Sequence, residues 1–192
     1  MTRARVWDIL QQGETASRAS RICLVGMRGA GKSTLGQMLA DRLGMPFVEL
    51  NSEIETQAGM ATGEIMELYG NEGYRRFEAD ALDNIIASSE RLVVAVAGGI
   101  VSEQTTYDRL LSRFHAIWLK ASATEHMERV RAQGDERPMA GHPQAMDQLK
   151  SILTSREALY AKAEALLDTS NTSVAQSLDD LAALVHARGL AG

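Results

Sequence analysis

Apolar residues along this chain follow two rhythms. Short, nearly continuous runs at 22–25, 47–50, 92–97, 116–119 and 166–170 have the length and texture of buried strands. Between them, apolar residues recur at three- and four-residue steps, as on one face of a helix. Leu35, Met38, Leu39 and Leu43 form the first such set. Thr62 is expected to cap a second helix through Ile65, Met66 and Leu68 that stops at Gly70, and Gly73 to open a third through Leu82, Ile85 and Ile86. Further helical patterns cover about 105–111, 124–133 and 145–165, the last with Leu149, Ile152, Leu153, Leu159 and Tyr160 on its apolar face. Leu178, Leu181, Leu184 and Val185 mark a closing helix, while Gly44, Pro46 and a polar loop around Gly59 punctuate the series. Strands alternating with helices predict a three-layer α/β fold around a central parallel sheet.

The stretch from Gly26 to Ser33 reads G-x-x-x-x-G-K-S, with a strand before it and a helix after it. That context marks a phosphate-binding loop. The backbone around Gly26, Arg28, Gly29, Ala30 and Gly31 can curl about a phosphate, and the helix N-terminus adds partial positive charge. Lys32 would reach the terminal phosphates, Ser33 would help hold Mg2+, and Thr34 completes the candidate nucleotide site. Ligands of open parallel sheets bind outside the carboxyl ends of the strands. Asn51 and Glu53 after the second strand, and Gly98-Gly99 after the third, are therefore site candidates. The turn-rich stretch 133–141 reads as a mobile lid able to carry Arg137 over bound phosphates.

Composition narrows the classes. The chain has 192 residues, 45% hydrophobic and 23% charged, with a net charge of −5. These values suit one globular domain and do not advertise a nucleic-acid surface. The single Cys23 lies in the first strand, where it reads as a small buried apolar residue; one cysteine excludes an internal disulfide and suits a reducing cytoplasm. No apolar run is long enough to span a membrane and no signal-peptide pattern is present. His115, His126, His142 and His186 lack metal-ligand spacing. Residues 1–20 read as a linker or flexible leader, and 21–192 as the domain.

From about Arg21 to Val185 the chain resembles shikimate kinase, a P-loop kinase related in fold to the nucleoside monophosphate kinases. The landmarks are the P-loop, an acidic pair after strand two, Gly73-Tyr74-Arg75, the glycine turn, Arg137-Pro138 in a lid and Arg156-x-x-x-Tyr160. The resemblance implies ATP and Mg2+ as cofactors. It implies Arg75 and Arg156 as carboxylate-binding arginines, Gly98 and Gly99 beside the acceptor, and Arg137 on ATP. It makes Lys32, Glu53 and Arg137 catalytic, and Ser33 and Asn51 metal-linked. Where the family carries Asp-x-Asp this chain shows Asn51 and Glu53, and Val96 and Ala97 stand where the family has a hydroxyl residue and a glycine. These departures point to weak or absent turnover.

Asn51 to Glu55, Gly98 to Glu103 and Ala132 to Ala140 also resemble the C-terminal effector domain of benzoyl-CoA-responsive regulators of aromatic degradation. That resemblance implies an aromatic acyl-CoA sensor whose ligand phosphates use the P-loop. DNA would be reached only through a helix-turn-helix module that this chain lacks, and a homodimer is left open. The sensor is the preferred reading. The alternative is an enzyme that transfers the γ-phosphoryl group of ATP to shikimate.

Overall fold

Each strand is followed by a helix that returns the chain to the same edge of the sheet, so the strands run parallel. The computed structural model describes residues 18–132 and 145–190. Its strands are β1 (Ser20–Val25), β2 (Phe47–Glu49), β3 (Arg91–Ala95), β4 (His115–Lys120) and β5 (Ala165–Asp168), in the order β2-β3-β1-β4-β5. The helices are α1 (Lys32–Leu43), α2 (Leu50–Ala58), α3 (Thr62–Ser88), α4 (Gln104–Arg113), α5 (Ala123–Ala132), α6 (Ala145–Tyr160) and α7 (Val174–Ala187).

Strand alternation divides the core between the two faces of the sheet. Ile22, Leu24, Val93, Ile117 and Leu119 meet Leu35 and Leu39 of α1 and Leu181 and Val185 of α7. Cys23, Val25, Val94, Ala116 and Trp118 face the opposite way, onto Ile54 of α2, Leu82 and Ile85 of α3, and Leu110 of α4. The three-layer expectation holds, and Cys23 is wholly buried, its thiol pKa raised by burial.

Several local expectations change. The polar stretch after β2 is helix α2 rather than a loop. Leu50 and Ile54 recur at i and i+4 and are both fully buried, which anchors one face of an otherwise polar segment. Gly59 is the left-handed residue that ends it, with φ 66°. The expected break at Gly70 holds: residues 62–88 are two helical stretches joined across a kink there, at φ 67°, ψ −175°. Thr62 is the first helical residue and Ala61 the cap. The sixth helix ends at Tyr160, not 165, because pairing with β4 draws Ala165–Asp168 into the sheet despite its alanine-rich approach. Residues 18–20 belong to the fold: Ser20 opens β1, Arg18 pairs with Glu164 at 3.2 Å, and His115 Nε2 lies 3.1 Å from the Ala19 carbonyl. The rest of the expected leader, residues 1–17, and the expected lid lie outside the described residues.

Three strand ends are brought together by glycine. Gly26, the residue after β1, has φ +147°, and a Cβ there would stand 2.5 Å from the Leu119 carbonyl of β4. Gly98, after β3, would place a Cβ 2.9 Å from the Gly26 carbonyl. Gly99 differs: it is exposed, has φ −78°, and a Cβ would meet nothing within 4 Å. Gly26→Ala should therefore lower unfolding free energy by about 2–4 kcal/mol in urea titration, combining backbone strain with a clash against main chain. Gly99→Ala should fall between neutral and about 1 kcal/mol stabilising.

Candidate active site

The loop between β1 and α1 wraps its backbone by left-handed steps at Gly29 (φ 79°) and Gly31 (φ 90°). Those angles are costly for a side chain and free for glycine. Gly31 caps α1, whose first residues are Lys32, Ser33 and Thr34, so a helix N-terminus opens into the cleft. The Lys32 ammonium donates to the carbonyls of Gly26 at 3.0 Å and Met27 at 2.9 Å. Burial lowers its pKa to about 8, opposed chiefly by the Glu49 carboxylate. His126 of α5, itself buried, places Nδ1 3.0 Å from the Arg28 carbonyl and ties the loop to that helix.

A cleft of about 590 Å³ extends from this loop. Arg28, Gly29, Gly31, Lys32, Ser33 and Thr34 form one wall. Glu49, Asn51, Val96, Ala97 and Gly98 come from the ends of β2 and β3. Ala30 is buried beneath, its N–H donating to the Met27 carbonyl at 3.1 Å. The first turn of α3 closes the far side with Thr62, Gly63 and Met66. That turn is pinned by Glu55, whose carboxylate accepts from the Thr62 N–H at 2.8 Å and its hydroxyl at 2.9 Å. These two hydrogen bonds hold the Glu55 pKa below the usual carboxylate range.

Among the described residues the acid lining the cleft is Glu49, whereas the sequence pointed to Glu53. Glu53 is not among the cleft-lining residues and accepts a hydrogen bond from Gln57 one helical turn on, at 3.0 Å. Glu53 lies within α2, where its carboxylate is engaged along its own helix. Glu49 had a readable signal, being the last residue of its strand, where parallel sheets gather ligands. Thr62, Gly63 and Met66 had none, because their approach depends on the path of α2.

Arg156 reaches the junction of the loop and the glycine turn. Its Nη1 lies 3.4 Å from the Gly98 carbonyl and 3.8 Å from Met27 Sδ. The Tyr160 hydroxyl donates to the same carbonyl at 2.7 Å, and its ring stacks on Trp118. Arg75 is half exposed and ion-paired to Glu103 at 3.2 Å. Gly99 points to open space, so only Gly98 of the expected glycine pair meets the cleft. Arg137 lies outside the described residues.

This donor set fits a polyphosphate. The loop backbone, the N-terminus of α1 and Lys32 share one wall, and the left-handed turns at Gly29 and Gly31 shape the loop as phosphate-binding loops require. The Ser33 hydroxyl and Glu49 carboxylate supply hard oxygen ligands suited to a divalent cation that draws its remaining ligands from phosphate and water. Among the described residues no group of three or more His, Cys, Asp or Glu could hold a metal without such help. None of the described helices is long and apolar enough to cross a membrane.

Comparison with known proteins points one way. The family model described as shikimate kinase matches residues 28–185. A shikimate kinase of Nitrobacter winogradskyi is 36% identical over 87% of this chain and 77% of its own length. One from Bradyrhizobium diazoefficiens is 37% identical over 78% of this chain and 72% of its own. Among solved structures, a shikimate kinase from Acinetobacter baumannii in complex with shikimate superposes with a TM-score of 0.77 at 27% identity, covering 88% of this chain and 93% of that one. These relatives overturn the preferred expectation of an aromatic acyl-CoA sensor from a transcriptional regulator. They favour its alternative, and benzoyl-CoA and aromatic catabolism drop out with the sensor.

The depressed Lys32 pKa has a measurable consequence. An anionic phosphate raises it again, so binding above pH 8 must take up a proton. Affinity for ATP should fall as pH rises from about 8, approaching tenfold per unit. Calorimetry at pH 8.5 in buffers of different ionisation enthalpy should register the uptake, and Lys32→Met should abolish it. In the ligand-free chain the sign reverses. The unfolded state holds more protons between about 8 and 10.5, so stability should rise with pH across that window.

Proposed function

The chain belongs to the shikimate kinase family, and on that premise we propose that it transfers the γ-phosphoryl group of ATP to a hydroxyl of a small cyclic hydroxy acid of the shikimate type. One observation carries the reading. Lys32 and Arg156 approach the same backbone junction from two sides, the first on the Gly26 and Met27 carbonyls, the second on the Gly98 carbonyl and Met27 Sδ. A cation suited to phosphate and a cation suited to carboxylate thus stand on either side of the Gly26–Gly98 junction, whose Gly98 also lines the cleft.

Bound Mg–ATP supplies the phosphoryl donor, with the cation neutralising part of its charge. Ser33 and Glu49 are our candidates for holding that cation. Lys32, Arg28 and the N–H groups of the loop are those for the phosphates. Arg156 takes the acceptor carboxylate, joined by Arg75 once it turns from Glu103; a guanidinium fork suits that anion. Val96, Ala97 and Met66 offer an apolar wall to the ring. Asn51 faces the cleft with a neutral amide, able to orient a hydroxyl and unable to remove its proton. Phosphoryl transfer passes through a loose transition state in which positioning and charge do most of the work. An amide at this point therefore slows the reaction without forbidding it.

Coupled ADP-release measurements with shikimate and Mg–ATP should show acceptor-dependent turnover, below about 1 per second, the low end for kinases. Arg156→Ala should raise the acceptor KM by about tenfold to a hundredfold, the loss of one charged hydrogen bond. ATP binding without any shikimate-dependent ADP release would refute the kinase.

The two acids are separable. Glu49→Gln should lower kcat/KM by about a hundredfold, as loss of a metal ligand or its neighbour does, and Glu53→Gln by no more than a few-fold. The opposite order would return the role to Glu53.

A further inference from the structure

Glu78 is a carboxylic acid with 2% of its surface exposed, sealed in the core face of α3. Its Oε1 lies 3.3 Å from the Tyr74 hydroxyl, and that hydroxyl lies 3.3 Å from Asn51 Oδ1. Tyr74 is also buried. A three-member hydrogen-bonded line therefore runs from the interior to the amide that lines the cleft.

The line contains a choice. A phenol has one proton and can donate it to one neighbour at a time. When Glu78 is ionised, the charge-assisted bond draws the Tyr74 proton inward. Asn51 Oδ1 would then face a phenolic lone pair, so the amide turns and donates through Nδ2, leaving Oδ1 toward the cleft. When Glu78 is protonated, its own O–H donates to Tyr74. The phenol then donates to Asn51 Oδ1, and Nδ2 faces the cleft instead. The two ends of an amide have nearly the same shape, so hydrogen bonding alone selects between them.

We infer that Glu78, acting through Tyr74, is a positioning residue that decides whether Asn51 presents a hydrogen-bond acceptor or a donor to the acceptor hydroxyl. An attacking hydroxyl needs an acceptor for its proton so that its lone pair faces the phosphoryl group. The ionised form of Glu78 is the productive one. The consequence for activity rests on the kinase reading above; the amide orientation does not.

The surroundings set where the switch falls. Burial raises the Glu78 pKa to about 7. The Tyr74 hydrogen bond and Arg75 on the same helix lower it, and Glu103, at the start of α4, raises it. From α2, Glu55 acts on Tyr74, whose own pKa is pushed well up, mainly by burial and by Glu78, so the phenol stays protonated throughout.

The test uses the full chain labelled with nitrogen-15, with the Asn51 side-chain amide identified by its loss in Asn51→Ser. Its chemical shift should step with a midpoint near pH 7 between pH 5.5 and 8.5. The step should vanish in Tyr74→Phe and in the isosteric Glu78→Gln, with the rest of each spectrum showing an intact fold. With shikimate and Mg–ATP, wild-type kcat/KM should fall about tenfold below the same midpoint, the size of one neutral hydrogen bond, and Tyr74→Phe should be flat. A missing step, or one that persists in both variants, overturns the inference; so does a flat kcat/KM profile in an active wild-type enzyme. If no phosphorylation of shikimate is seen, the kinase reading fails alone and the amide titration still decides this one.

Discussion

The contact of three main chains at the carboxyl edge of the sheet governs everything downstream of it. Gly26 runs under the Leu119 carbonyl of β4 at a distance that excludes a Cβ, and Gly98 runs against Gly26 in the same way. Because β1 lies between β3 and β4, this junction sits at the middle of the sheet. It fixes where the loop begins, and hence where α1 points its N-terminus. It also brings the Gly98 carbonyl to Tyr160 and Arg156 of a helix far along the chain. Loosening it would move the loop with Lys32 and the Gly98 turn that Arg156 contacts together, which is why they can be treated as one unit.

Much of this was legible from residue patterns. Short continuous apolar runs in β1 and β4, three- and four-step periodicity in α1 and α7, and the strand–loop–helix setting of the P-loop report local choices that agree with the global fold. The misses share a cause. The α2 segment is polar on most of its surface, so two buried residues one turn apart, Leu50 and Ile54, carried the only helical signal. The cleft is lined by Glu49 from the end of β2, and by Thr62 and Met66 from the helix that follows α2. Gly98 and Gly99 look identical in sequence, yet only one has main chain pressed against it. Tertiary approach of that kind leaves no periodic trace. The end of α6 failed differently: helix-favouring alanines were overridden by pairing with β4.

Family-level resemblance was more robust than the finer distinction drawn within it. Departures at Asn51, Val96 and Ala97 had weighed toward a sensing role, on the premise that a catalytic carboxylate pair was missing. With Glu49 lining the cleft and acting on Lys32, one carboxylate is present at the phosphate end. The inventory of charge is therefore altered less than residue-by-residue matching implied.

That altered inventory still has a direction. Among the described residues that line the cleft, Glu49 is the one acid beside Lys32 and Arg28, and position 51 is neutral. A second carboxylate there would raise the Lys32 pKa by attraction and offset part of the positive field felt by a phosphate; an amide does neither. Burial then acts on Lys32 with only Glu49 as the principal opposing carboxylate, which is the order of causes behind its depressed pKa. The same substitution replaces a fixed acceptor by a group whose two ends donate or accept. Asn51 is thus the point where the chain exchanges a charge for an orientation, and the neighbours that set orientation, Tyr74 and Glu78, become part of the chemistry of the cleft.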